Sequence, residues 1–427
     1  MKKLILHLLA VVCSMPVLHA QLTLDECISL AHENYPLIQK YDLIAKTNAI
    51  NLSDINKNWL PAVGLYAQGT VQNVVPSFPD AFAGVMSQAG VELKDLGKTQ
   101  YKIGVDLGQT IWDGGASSSR RKIERAETAE RKAALDEQLY AVNRQVQDLF
   151  FGILLIDEQI KQTDITLVLL RSNIDRMEAM HRNGTAMQSD VDMLEAQYLS
   201  LTQQLTEARS SAVAYRRLLG LYVGRDIAGI TLAKPDDTMP SDLSSDAPRL
   251  RTLDAQLAAN EAHLSAVEAS VMPHIGAFAQ AYYGYPGINY FESMLNRNLS
   301  FNIVAGIKVT WNIDSFYTKR NSRRRLELAS QGIGVDRERF LFDSHLETDS
   351  QLSKIEGLRK VMADDGRIVA LRENVRRASE SQLANGIIDA TALLTKIADE
   401  NHARLNASYH EIQLLQNIYR LKHLLNR

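Results

Sequence analysis

Cysteine is nearly missing from this 427-residue chain, which has two, Cys13 and Cys27. Cys13 falls in a leader segment discussed below, so Cys27 stands alone in the remainder. An intramolecular disulfide is thereby excluded, and a chain of this size needs none. After residue 20 there is also no long uninterrupted apolar run. Any passage through a membrane would therefore have to be by β-strands. Charge of one sign is lacking too: the formal net charge is -3, and it becomes -5 when Lys2 and Lys3 are removed from the 47 basic residues set against 50 acidic ones. Such mild acidity argues against a nucleic-acid binder, which would show a basic stripe.

The groups that an enzyme needs are just as thin. Gly332-x-Gly334 has no third glycine of a dinucleotide loop and lies in a helical pattern. His402 and His410 are eight residues apart with no third ligand nearby, and read as ordinary helix residues. Asp364-Asp365 reads as part of a solvated helix face. Methionines are scattered, so a thioether relay for metal ions has no support. No catalytic residue, cofactor or metal site is expected.

What the sequence does have begins with Met1-Lys2-Lys3, an apolar run from Leu4 to Val12 and a small residue at Ala20. This reads as a secretory signal peptide over residues 1–20. The alternative is a lipoprotein signal with Cys13 as lipid acceptor, although Val11 and Val12 stand where small residues are preferred. The mature start LTLDECISLAHENYP places Thr23 and Glu26 at capping-box spacing. Pro36 then suits the first turn of a second helix.

The most regular stretch runs from Leu135 to Met177. Leu135, Leu139, Val142, Val146, Leu149, Ile153, Ile156, Ile160, Leu167, Leu170, Ile174 and Met177 recur in steps of three and four, with Thr163 the one polar member. A mean step of 3.5 keeps the stripe on one side only if the helix supercoils around a partner. After Arg182-Asn183-Gly184-Thr185 the rhythm resumes from Val191 to Leu219. A helix from Gly115 to His181 would be about 100 Å long.

Two segments change period. Val63, Leu65, Ala67 and Val71 alternate with small or polar residues, as do Tyr101, Ile103, Val105, Leu107 and Ile111. Each predicts a strand of about 11 residues, the length of a tilted transmembrane strand. The connection from Asn73 to Thr99 shows no clear period and reads as a loop, as does a shorter Tyr/Pro/Asn-rich connection in the second half. The same order then recurs: Pro273-His274-Ile275-Gly276 echoes Pro61-Ala62-Val63-Gly64, and Trp311-Asn312-Ile313-Asp314 echoes Ile111-Trp112-Asp113. This predicts a first repeat over 21–220 with a β-hairpin at 61–111 and a helical hairpin at 115–220. An irregular linker follows at 221–247, packed on the outside of the helices. A second repeat over 248–427 has a β-hairpin at 273–311 and a helical hairpin at 315–425. Gly332-Ile333-Gly334 predicts a kink or break in its long helix.

The fold class is therefore mainly α with a small β part: duplicated long coiled-coil hairpins and four transmembrane strands. Four strands cannot close a barrel and open edges are forbidden in lipid, so the chain must oligomerise if it enters a membrane. Trp59, Trp112 and Trp311 would share one rim of that barrel as membrane-interface aromatics, or else cap a soluble barrel.

Across its mature length the sequence resembles the TolC-like outer-membrane efflux family (outer membrane factors). The start LTLDECISLAHENYP, Trp59-Leu60-Pro61, Ile111-Trp112-Asp113-Gly114-Gly115, and Arg182-Asn183-Gly184-Thr185 with Ser189-Asp190-Val191 carry the resemblance. It implies a homotrimer with an α-barrel crossing the periplasm and a twelve-stranded β-barrel among the lipids of a Gram-negative outer membrane. It further implies an exit duct of a tripartite efflux or type I secretion system. That duct would dock to a periplasmic adaptor (membrane fusion protein) and an inner-membrane transporter through the turns Arg182, Asn183, Gly184, Thr185 and Asn385, Gly386. Charges near the turns, namely Arg176, Glu178, Arg372, Glu373, Arg376, Arg377 and Glu380, are candidates for a periplasmic gate, or simply solvate the helix ends. The competing reading is a periplasmic adaptor or other coiled-coil structural protein.

Overall fold

The computed structural model describes residues 21–427; the segment read as a signal peptide, with Cys13, lies outside the described residues. In chain order the elements are α1 (Leu24–Asn34), a 3-10 turn (Pro36–Gln39), α2 (Lys40–Lys57), β1 (Ala62–Val71), α3 (Asp80–Gln88), β2 (Thr99–Trp112), α4 (Ala116–Arg182) and α5 (Gln188–Val223). The second half has α6 (Pro248–Ala269), β3 (His274–Tyr285), α7 (Tyr290–Asn296), β4 (Ser300–Thr310), α8 (Ser315–Ala384) and α9 (Ala390–Leu425). The chain divides into two compact units. One holds residues 21–41 with Ala133–Thr252 and Asp336–Arg427; the other holds Asp42–Lys132 with Leu253–Val335. Each unit thus draws on both repeats.

In the first unit the predicted stripe of α4 is turned inward. Val142, Val146, Phe150 and Ile153 pack with Leu219 and Val223 of α5, Ile412 and Leu415 of α9, and Leu24, Cys27 and Ala31 of α1. The capping box that starts α1 is formed: the Thr23 N–H donates to Glu26 at 3.0 Å, and the Glu26 N–H donates to Thr23 Oγ1 at 3.2 Å. The segment after α5 is irregular and packed, with Ile227 and Leu232 in the same core. Leu22 pairs with it in parallel, donating to the Thr231 carbonyl and accepting from the Ala233 N–H, both at 3.0 Å. Gly224 ends α5 at φ +75°, and a Cβ there would lie 2.5 Å from Asn34. Asn34 uses that closeness to donate to the Val223 carbonyl at 2.9 Å.

In the second unit the four strands form one antiparallel sheet in the order β1-β2-β3-β4. Two expectations fail here. The connection after β1 contains α3, which starts at Asp80 behind Pro79, and the second connection contains α7, capped by Asn289 Oδ1 accepting from Glu292 N–H at 3.2 Å. Short helices carry too few turns to show a period, so the sequence pattern misses them. The two connections share a small core of Leu96, Tyr285 and Met294 with Val75 and Phe78. Of the kink or break expected at Gly332-Ile333-Gly334, the break is the second to fail, because α8 runs through it without interruption. Two glycines cost about 1 kcal/mol each relative to Ala, a loss that a cooperative helix of 70 residues absorbs.

Candidate functional site

Two regions carry the residues that the sequence singled out. The first is the sheet. Its register sets Leu65 opposite Val105, Val105 opposite Ala281 and Ala281 opposite Ile303, and places Ala67, Ile103, Tyr283 and Phe301 in the next row of the same face. Both hairpins and the β2–β3 pairing therefore agree in phase, and one face is apolar across all four strands. That face is bare: Leu65 is 84% and Ile307 71% exposed. The opposite face carries Gln68 beside Lys102, and Asp106, whose carboxylate accepts from Gln280 Nε2 at 2.7 Å. On that face Gly104 lies between Tyr66 and Tyr282, and a Cβ at Gly104 would meet the Ala281 carbonyl at 2.6 Å. Among the described residues β1 and β4 each have one edge without a strand partner.

Trp112 ends β2 opposite Ile275, Trp311 follows Thr310 which pairs with His274, and Trp59 precedes β1 by three residues. The three indoles thus lie at one end of the sheet. Gln109 Nε2 donates to the Trp59 carbonyl at 2.7 Å, and Trp311 Nε1 donates to the Val271 carbonyl at 2.9 Å.

The second region is the end of the first unit that holds both hairpin turns. Gly184 (φ +72°) and Gly386 (φ +70°) occupy equivalent places. Thr185 N–H donates to the Met180 carbonyl and Gly184 N–H to His181, while Ile387 N–H donates to Gln382 and Gly386 N–H to Leu383. This paired pattern closes a helix C-terminus through a left-handed glycine. Three residues beyond each glycine stands the N-cap of the next helix, Met187 in the first turn and Asp389 in the second. In the first turn Asp190 reaches back to the Met187 N–H at 3.1 Å, whereas in the second Asp389 itself accepts from the Ala392 N–H at 2.8 Å. An acid thus serves the helix start in both turns, from two different positions. Arg182, Asn183, Thr185 and Asn385 are all exposed. Leu170, Ile174, Met177, Val191 and Leu194 share a core with Leu383, Ala390 and Leu393 beneath the turns.

The gate candidates separate into two groups. Arg376 is buried: its Nη1 lies 2.8 Å from Glu380, and its Nε donates to Glu400 on α9. Arg404 donates to the other oxygen of Glu400 and to Glu373, both at 2.8 Å, and Arg377 also donates to Glu373. The Arg377 guanidinium, opposed by burial and helped by the smaller effect of Arg404, holds the Glu373 carboxyl below its ordinary value. These four candidates are bonded within one chain. Arg372 pairs with Asp399 at 2.8 Å, Glu178 with Arg182 at 3.6 Å, and Arg176 is exposed.

Sequence reasoning missed Glu400, Arg404 and Asp399. The signal was there: Ala390, Leu393, Ile397, Glu400 and Arg404 keep the three-four rhythm of the seam. Asp365 is a further correction, since it lies against His410 at 2.9 Å with only 14% of its side chain exposed, rather than on a solvated face.

Residues 37–225 match the family model described as outer membrane efflux protein. Solved structures extend the likeness in fold to nearly the whole chain. VceC of Vibrio cholerae matches with a TM-score of 0.67 at 12% identity, over 94% of this chain and 95% of its own. The open-state MtrE channel of Neisseria gonorrhoeae gives 0.66 at 16%, over 94% and 88%, and the CmeC channel of Campylobacter jejuni gives 0.65 at 13%, over 94% and 85%. No curated protein matches in sequence. The TolC-like resemblance and the mainly α fold with a small sheet are thus borne out.

Proposed function

We propose that the chain is a passive exit duct of the outer membrane of a Gram-negative bacterium, acting in a tripartite efflux or type I secretion system. The observation that carries this reading is the sheet: one apolar face bare across four strands, and two edges without partners. A bilayer accepts the face, and it forbids the edges. Three copies contribute twelve strands, within the range of closed membrane barrels. Assembly as a homotrimer therefore satisfies both features at once.

In this reading the helical hairpins stand in the periplasm as an α-barrel, and the exposed Gly184 and Gly386 turns meet a periplasmic adaptor and, through it, an inner-membrane transporter. Arg176, Arg372 and Arg377, which are exposed, and the half-buried Glu178 are the members of the candidate set available for a ring between protomers. Arg376, Glu373 and Glu380 hold the seam beneath it. Exposed pairs are worth about 0.2–1 kcal/mol each, so a partner with modest differential contacts can open such a ring.

The test is fractionation followed by detergent extraction. The protein should remain with outer membranes through a high-salt wash and migrate as a trimer in mild detergent. Release by salt would favour the adaptor reading, and a monodisperse monomer with full β content would overturn the barrel.

A further inference from the structure

The chain is mildly acidic overall, yet beside the Trp-bearing end of the sheet its charge reverses. The first eight residues of α4, 116–123, contain Arg120, Arg121 and Lys122 and no acid. Residues 315–326 of α8 contain Lys319, Arg320, Arg323, Arg324 and Arg325, again with no acid. All eight cations flank the same end of the sheet, Arg121 and Lys319 half-buried and the other six exposed. Two acids answer them locally: Glu268 pairs with Lys319, and Glu327 with Arg323 and Arg324 at 3.3 and 3.2 Å. A clear excess of positive charge remains.

A groove of about 410 Å³ lies between α6 and the start of α8. Ser270, Ser315, Thr318 and Ser322 line it together with Lys319 and Arg325, and Arg325 donates to Ser322 Oγ at 3.0 Å. Exposed Trp311, Ile313, Phe316 and Tyr317 adjoin it. At about 1.5 Å per residue, Lys319 to Arg325 stand roughly 6–15 Å into the helix. The headgroup layer is roughly 5–8 Å deep on each side of the hydrocarbon, and long cationic side chains reach back toward it.

We propose that this groove and its collar of cations bind the phosphate of an anionic phospholipid at the rim of the barrel. Hydroxyls and two cations supply donors for phosphate oxygens, the surrounding cations supply a field for anionic headgroups, and the aromatic residues lie against the upper acyl chains. The proposal rests on the outer-membrane reading above.

The test uses the full chain in mild detergent, offered an equimolar mixture of phosphatidylglycerol and phosphatidylethanolamine, with retained lipid counted by native mass spectrometry. Wild type should retain phosphatidylglycerol preferentially, and high salt should weaken the preference. Lys319→Gln with Arg325→Gln should lower phosphatidylglycerol retention by about fivefold per charge and leave phosphatidylethanolamine unaltered. Arg209→Gln, remote from the collar, should change neither. Equal retention of both lipids, an unaltered preference in the double variant, or displacement by millimolar inorganic phosphate would each overturn the proposal. So would a change in ion selectivity of the channel without a change in lipid retention, which would make the collar a lumen feature. Release of the protein from outer membranes by salt would instead defeat the reading on which the proposal rests.

Discussion

Arg376 of α8 donates to Glu400 of α9 across the seam of the second helical hairpin, with 11% and 7% of the two side chains exposed. Both Glu400 oxygens are engaged, one by Arg376 and the other by Arg404. Taking such charges out of water is costly, and the pair is stable only while it is complete. Glu400→Ala should therefore destabilise by about 3–5 kcal/mol, because it leaves Arg376 without its main partner. Joint replacement by Arg376→Met and Glu400→Leu should be close to neutral. Denaturant unfolding of the two variants checks this, and equal losses in both would show that packing rather than charge holds the seam.

His423 gives the fold a dependence on pH. Burial, and then the nearby Arg144, push its pKa down from the ordinary 6.5 to about 4, with Asp148 opposing. Its ring stacks on Tyr140 at 4.3 Å, and its carbonyl accepts from the Tyr140 hydroxyl. The folded form binds the proton less well than the unfolded form. The contribution, roughly 3 kcal/mol, is thus fully present above pH 6.5 and is lost as pH falls through about 4. His423→Phe should flatten the change in melting temperature between neutral and mildly acid buffer. A slope unaltered in that variant would assign the acid sensitivity elsewhere.

The two faces of the sheet should differ in their tolerance of charge. Val105→Arg or Ile303→Arg puts a cation on the apolar face, at a cost of about 2–4 kcal/mol near the bilayer midplane. Polar changes at Gln68 or Lys102 on the other face should be tolerated. Heat-modifiable mobility and outer-membrane yield report the difference, and equal yields would remove the barrel.

Cys27 should be inert in the native protein. It is fully buried in the core that joins α1 to α4 and α5, and burial pushes its thiol up to about 12. The thiolate is the reactive form, so maleimide should label it only on unfolding. Rapid native labelling would mean that α1 detaches readily.

The sequence by itself determined the elements whose side chains repeat. Leu135 to Met177 could bury their stripe only by supercoiling, because a 3.5-residue step drifts around an isolated straight helix. Val63–Val71 and Tyr101–Ile111 could present one apolar face only as strands, since alternation is the period of a pleat. Duplication of those patterns set the order of the elements on both sides of the linker. Tertiary structure decided what periodicity does not encode. Glu400 kept the rhythm of α9, but its role depended on Arg376, 24 residues away across a turn. Asp365 likewise found His410 only when α8 and α9 were laid together. The common phase of the sheet was tertiary as well. Each strand carried its own alternation, but a slip of one residue between β2 and β3 would have turned half of the apolar face over. Leu65, Val105, Ala281 and Ile303 fall in one row because strand pairing, which joins residues far apart in the chain, fixed the register.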